Sequence, residues 1–272
     1  MSSPTLLAVA HGSRDPAAQV AVRALLGRVS RLAPSLAVRV AFVQHAEPSL
    51  AAGLAAAGPD VVVVPLLLST GYHIAVDICG AAATAGARLA APLGPDRSLA
   101  TALAGQLDIA GVPAGTPVVL AAAGSSDPKA IADVEMQAAL LGDVRDADVL
   151  AAYASAGTPT VAQAVAALRA RSGTRPGSAD QPVAVATYLL APGHFYGRLQ
   201  QAAAAWVSAP LSGHPAVAAL VLDRYRAAAA SQSAARPGSG LQDPRPGLAD
   251  EGGQEPEAEL RRRIEPRGGQ GR

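Results

Sequence analysis

The sequence predicts two tandem α/β lobes, each built on a mainly parallel sheet and related to the other by internal duplication. Two observations predict it. In the first half, short β-branched runs alternate with longer Ala/Leu segments of helical period, the pattern of βαβ units feeding a parallel sheet. The second half repeats this order, and short strings recur in register. With 272 residues, half of them apolar, the chain has enough material for two buried cores.

Taken in order, lobe one is expected over 1–114, with strands at 6–10, 37–43, 60–67 and 88–92. Its helices should begin near Asp15, Pro48, Ile74 and Asp96, where an Asp, a Pro or a polar residue supplies the start signal. Lobe two, over 115–230, echoes these elements. Gly12-Ser13-Arg14-Asp15-Pro16 returns as Gly124-Ser125-Ser126-Asp127-Pro128, and Pro48 returns as Pro159. Leu68-Ser69-Thr70-Gly71-Tyr72-His73 returns as Leu189-Leu190-Ala191-Pro192-Gly193-His194, and Ala91-Pro92-Leu93 returns as Ala209-Pro210-Leu211. Two segments stand outside the repeat. The Gly/Pro/Ser-rich stretch 172–181 reads as a surface loop. From 231 to 272 no apolar period offsets the entropy of ordering, so a disordered tail is expected, with Arg261-Arg262-Arg263 as solvated charge.

Composition excludes several function classes. Lys+Arg total 22 against 21 Asp+Glu, a balance that argues against a surface made for nucleic acid or anionic lipid. The single cysteine, Cys79, cannot form an intramolecular disulfide and fits a reducing, cytoplasmic setting. No basic region precedes the short apolar run at 6–10, as a signal peptide would require. The longest strongly apolar stretch, 61–68, falls far below the roughly 20 residues that span a bilayer, so a soluble protein is expected.

The chemistry centres on two histidines. His11 directly follows the first strand, at the C-terminal end where open α/β sheets place ligands. His73 follows the third strand after a short Ser-Thr-Gly-Tyr loop, so in a parallel sheet it emerges on the same edge. Neutral imidazole binds first-row divalent metals and is also a base near pH 7. Gly12 and Gly71 flank the pair and permit close backbone approach, while Ser13 and Asp15 are suited to cap the helix that begins at Pro16.

The strings Ala10-His11-Gly12-Ser13-Arg14-Asp15-Pro16 and Pro65-Leu66-Leu67-Leu68-Ser69-Thr70-Gly71-Tyr72-His73, together with Ala191-Pro192-Gly193-His194-Phe195-Tyr196, resemble the class II tetrapyrrole chelatases. The likeness is to the long, tandem-lobe sirohydrochlorin chelatases and covers roughly residues 5–230. It implies two chelatase-like three-layer αβα lobes and insertion of Fe²⁺ or Co²⁺ into sirohydrochlorin, on the way to sirohaem or cobalamin. By the same resemblance, His11 and His73 bind the incoming metal and accept pyrrole protons. Gly12, Ser13, Arg14, Ser69, Thr70, Gly71, Tyr72 and His194 then contact the tetrapyrrole, and no cofactor beyond the substrate metal is implied. A carboxylate-rich substrate calls for cationic donors, for which Arg14, Arg97 and Arg198 are candidates near loop ends. Tandem lobes that reproduce in one chain the cleft short forms make by dimerising predict a monomer.

The chain departs from the family pattern in two places. Gln44 stands where the family often carries a glutamate that supports the metal site, with Glu47 nearby as a possible substitute. Ala123 takes the place of His11 in lobe two, which assigns the chemistry to lobe one. These departures keep open a second reading, a metal or tetrapyrrole carrier without turnover. A histidine phosphatase fits less well, because Ala10 precedes His11 where an arginine is needed, and no Gly-x-Ser-x-Gly elbow supports a serine hydrolase.

Overall fold

The computed structural model describes residues 3–172 and 181–231, with the side chains of 72–75 and of 172 outside that description. The loop expected at 172–181, apart from its ends, and the tail expected beyond residue 231 lie outside the described residues. Strands and helices alternate throughout: β1 (Thr5–Ala10), α1 (Pro16–Leu32), β2 (Val38–Phe42), α2 (Leu50–Ala57), β3 (Val61–Pro65), α3 (Tyr72–Thr84), β4 (Arg88–Leu89) and α4 (Arg97–Ile109). The second series is β5 (Val118–Ala122), α5 (Pro128–Arg145), β6 (Val149–Tyr153), α6 (Val161–Ser172), β7 (Ala184–Tyr188), α7 (His194–Gln200), β8 (Trp206–Val207) and α8 (Pro215–Ser231).

The two series form two four-stranded, all-parallel sheets of identical order, β2-β1-β3-β4 and β6-β5-β7-β8. The duplication expected from the recurring strings is thus present in the topology. It extends to detail, since Phe42 bridges Ser49 beyond β2 just as Tyr153 bridges Thr160 beyond β6. β3, β5 and β7 are buried along their whole length, as parallel strands covered on both faces must be. Strand alternation then divides the cores. Leu6, Ala8 and Ala10 face a core shared by both lobes, whereas Leu7 and Val9 face an outer core of lobe one. Val118, Leu120 and Ala122 likewise join the shared core, and Val119 and Ala121 an outer core of lobe two.

The shared core is closed by an exchange of helices. The last helix of lobe one, α4, packs on α5 and β7 of lobe two, and α8 packs on α1, β3 and β4 of lobe one. Polar ties fasten the exchange. On α8, Arg224 donates to the carbonyls of Pro92 (2.8 Å) and Leu93 (3.0 Å) and pairs with Asp96 at 2.7 Å. Burial alone would raise the Asp96 carboxyl, but hydrogen bonds from Ser98 and Arg224 hold it below its ordinary value. The fully buried Gln137 accepts from Asp96 N–H (2.9 Å) and donates to its carbonyl (3.2 Å), and Tyr188 donates to Leu68 O at 2.6 Å.

Local details depart from the expectations at element ends. α2 begins at Leu50 rather than at Pro48, because Ser49 Oγ caps it by accepting Ala52 N–H. β4 holds only two ladder residues, and the chain beyond it turns so that Leu93 and Gly94 both donate to Leu67 O. α3 begins at Tyr72, two residues ahead of the expected start.

Glycine is required directly after β1. Gly12 has φ +95°, and a β-carbon there would lie 1.7 Å from Gln44 O; Gly124 repeats this in lobe two, with φ +110° and Ala156 O at 2.3 Å. Replacing Gly12 by Ala is expected to lower stability by about 2–3 kcal/mol through backbone strain and the displaced loop, which urea denaturation measures. Arg224→Ala removes three hydrogen bonds across the helix exchange and leaves the half-buried Asp96 with Ser98 but without its cation, so a loss of about 2–3 kcal/mol is expected in the same assay.

Candidate active site

In each sheet the first strand and the third strand lie side by side and send their connections in opposite directions. This is a topological switch point, where a crevice opens beyond the C-terminal strand ends. His11 leaves β1, and the 66–71 loop leaves β3, at this point of lobe one. The equivalent loops of lobe two, after β5 and β7, face them across a cleft of about 1160 Å³. Its floor is apolar and aromatic, with Phe42, Leu66, Tyr153 and Tyr188, and its rim carries the polar loops. The loops approach closely: a β-carbon on Gly193 would lie 3.7 Å from Ser13 Oγ.

His11 is exposed in this cleft. Sheet pairing continues one residue past each strand, with Val43 N–H donating to Ala10 O and Gln44 N–H to His11 O, both at 3.0 Å. That pairing sets Gln44 beside the ring, and Gln44 Nε2 lies 2.9 Å from His11 Nε2. An amide N–H placed there donates to an unprotonated Nε2, a contact that requires the ring's proton on Nδ1. Partial burial, and secondarily the charge of His45, hold the His11 imidazole below its ordinary 6.5. The ring is therefore poised as an acceptor, toward a proton or a metal.

The other expected residues divide into those that face the cleft and those held elsewhere. Gly12, Ser13, Arg14, Ser69, Gly71 and His194 all line it. Ser13 Oγ accepts Asp15 N–H at 3.0 Å and Asp15 Oδ1 accepts Ala17 N–H at 2.9 Å, so both have the capping role expected at α1. Arg14 is exposed and, among the described residues, has no hydrogen bond or ion pair. His194 is the first residue of α7, its ring edge-on to Phe195 with centroids 5.6 Å apart. Thr70 is not among the cleft's described lining. Its N–H and hydroxyl both donate to Asp133 of α5, at 2.7 and 2.5 Å, which pins the loop ahead of α3 to lobe two. The backbone of Tyr72 and His73 forms the first turn of α3, and their side chains lie outside the described residues. Arg97 and Arg198 do not line the cleft; each sits in the first or last turn of a helix, exposed.

Two residues were missed by sequence reasoning. His45 lies on the loop after β2, exposed and lining the cleft, with φ +62°. Its position three residues beyond a strand end was a usable signal. Asp133 lies inside an unremarkable helical stretch, and only the tertiary fold reveals its partner. Among the described residues no three His, Cys, Asp or Glu side chains converge as a ready metal cage. No helix among the described residues is long and apolar enough to cross a membrane.

The family model described as CbiX matches residues 5–110 and again residues 117–228, one match to each sheet. No curated protein sequence matches the chain. Among solved structures, SirB from Bacillus subtilis with Fe³⁺ is 25% identical, with a TM-score of 0.68 over 86% of this chain and 98% of that one. The sirohydrochlorin chelatase SirB from Bacillus subtilis subspecies spizizenii, in complex with cobalt, is 24% identical with a TM-score of 0.64, covering 85% and 97%. CbiX, the terminal enzyme for biosynthesis of sirohaem in denitrifying bacteria, is 24% identical with a TM-score of 0.61, covering 82% and 99%. The last two likenesses are of fold, and the double family match carries the assignment: this chain belongs to the CbiX family.

Proposed function

We propose that the chain is a sirohydrochlorin chelatase that inserts Fe²⁺ or Co²⁺ into sirohydrochlorin, acting as a monomer whose two lobes together form the substrate cleft. The observation that carries this reading is the place of His11, an exposed imidazole at the switch point of a two-lobed cleft, where partial burial lowers its pKa. Metallation replaces two pyrrole N–H protons by one divalent ion, so it needs a donor that releases the metal and a base that takes protons. Neutral imidazole serves both needs near pH 7. The Gln44 amide covers His11 Nε2 in the described arrangement and must swing aside when a metal or proton arrives. His73, which opens α3 on the same sheet edge, is assigned by the family resemblance as the second ligand and base. Arg14, unpaired at the rim, and His194 on the lobe-two side are assigned to the substrate's carboxylates and body. Gln44 in place of a carboxylate and Ala123 in place of a second histidine favour the carrier as the alternative, and turnover separates the two.

Purified protein mixed anaerobically with sirohydrochlorin and Fe²⁺ or Co²⁺ is expected to accelerate the absorbance change of metallation. His11→Ala/His73→Ala is expected to lower kcat/KM by at least about a hundredfold while remaining folded. Tight sirohydrochlorin binding with no acceleration by the wild type would establish the carrier instead. The pH dependence follows from the direction of the His11 shift. A depressed imidazole stays neutral through pH 7 and becomes protonated only below its ordinary 6.5, so the metallation rate is expected to be flat at neutral pH and to fall on the acid side below 6.5. A rate that already declines between pH 8 and 7 would show that His11 is not the base.

A further inference from the structure

We propose that His45 is a further protein donor for the incoming divalent transition metal, binding it together with His11 at the mouth of the cleft. The inference rests on the chelatase reading for the destination of the ion, but the binding it describes stands on geometry alone. His45 sits one strand over from His11, on loops whose backbones are paired through Val43 to Ala10 and Gln44 to His11. It lines the same cleft, is exposed, and has no hydrogen bond or ion pair among the described residues.

Its backbone singles it out further. His45 has φ +62°, one of two non-glycine residues with positive φ among those described. In lobe two the matching loop places its positive φ on a glycine, Gly157, and an alanine, Ala156, occupies the position of His45. Lobe one thus puts its positive φ on the histidine itself, whereas lobe two moves it one position on, to a glycine that matches Ala46. An unfavourable backbone conformation beside a ligand cleft is a pointer to function. Gln44, beside His11, is neutral, so the two imidazoles supply nitrogen donors. Such a set selects Fe²⁺, Co²⁺ or Ni²⁺ over Mg²⁺ and Ca²⁺.

The test uses the full chain without tetrapyrrole. Asparagine also tolerates positive φ, so His45→Asn removes the imidazole and keeps the turn, and His45→Gly serves as a second variant with the same expectation. Co²⁺ is titrated while its ligand-field absorption and heat of binding are followed, with Mg²⁺ as the control ion. Both variants are expected to bind Co²⁺ at least about tenfold more weakly than the wild type, with a loss of nitrogen-type ligand-field bands. Equal Co²⁺ affinity in the wild type and both variants, or no Co²⁺ uptake by the wild type, would overturn the proposal. Metallation of sirohydrochlorin, measured separately, keeps the two readings apart. Weakened Co²⁺ binding in the variants alongside a wild type that does not accelerate metallation supports the His45 site and removes the chelatase reading. Unchanged binding alongside full wild-type turnover does the reverse.

Discussion

A parallel sheet must bury both of its faces, and in this protein neither lobe does so with its own helices alone. One face of each sheet is covered by helices of its own lobe, and the other turns into a single core to which both lobes contribute. The exchange of α4 and α8 follows from this need, since each terminal helix covers apolar strand surface that belongs to the other lobe. The cleft follows in turn. With the shared core fixing the two sheets against each other, their switch points open toward a common space, and the loops after β1, β3, β5 and β7 meet there. Lobe two pins the loop after β3, as Asp133 holds Thr70 and Tyr188 holds Leu68.

Much of this was legible from residues. The apolar strands at 6–10 and 60–67, with helix-starting Asp15 between them, specify a βαβ order, and that order alone places His11 and the 66–71 loop on one edge. The duplication was readable because turn chemistry leaves letters behind: Gly12 and Gly124 are glycines for the same steric reason. The helix exchange was not legible. α4 and α8 each present an apolar surface, and hydrophobic period says that a helix is covered without saying by what. Arg224, which ties α8 to Pro92, Leu93 and Asp96, reads in sequence as one more charge on a helix. His45 was passed over because His11 and His73 are adjacent to recognisable strings, while its own claim comes from a dihedral angle and a cleft wall.

The two lobes share a backbone plan and differ in chemistry. By register His11 corresponds to Ala123, Gln44 to Ser155 and His45 to Ala156, and Phe42 is matched by Tyr153, whose buried hydroxyl has no partner among the described residues. Lobe one therefore carries His11 and His45 where lobe two carries alanines. Lobe two contributes Tyr188, the 189–194 loop and Asp133, the parts that shape the cleft and brace the loop ahead of α3.

Duplication within one chain has a consequence for symmetry. Two identical subunits facing each other across a twofold axis must present every group twice, so a ring-shaped guest lying on that axis meets the same chemistry from above and below. Covalent fusion lifts that obligation, because each half is encoded separately and can drift alone. In this protein Ala123 and Ala156 stand where lobe one carries His11 and His45, so the two walls differ in their donors, with His194 on the lobe-two side. A planar guest lying there would meet different chemistry on its two faces.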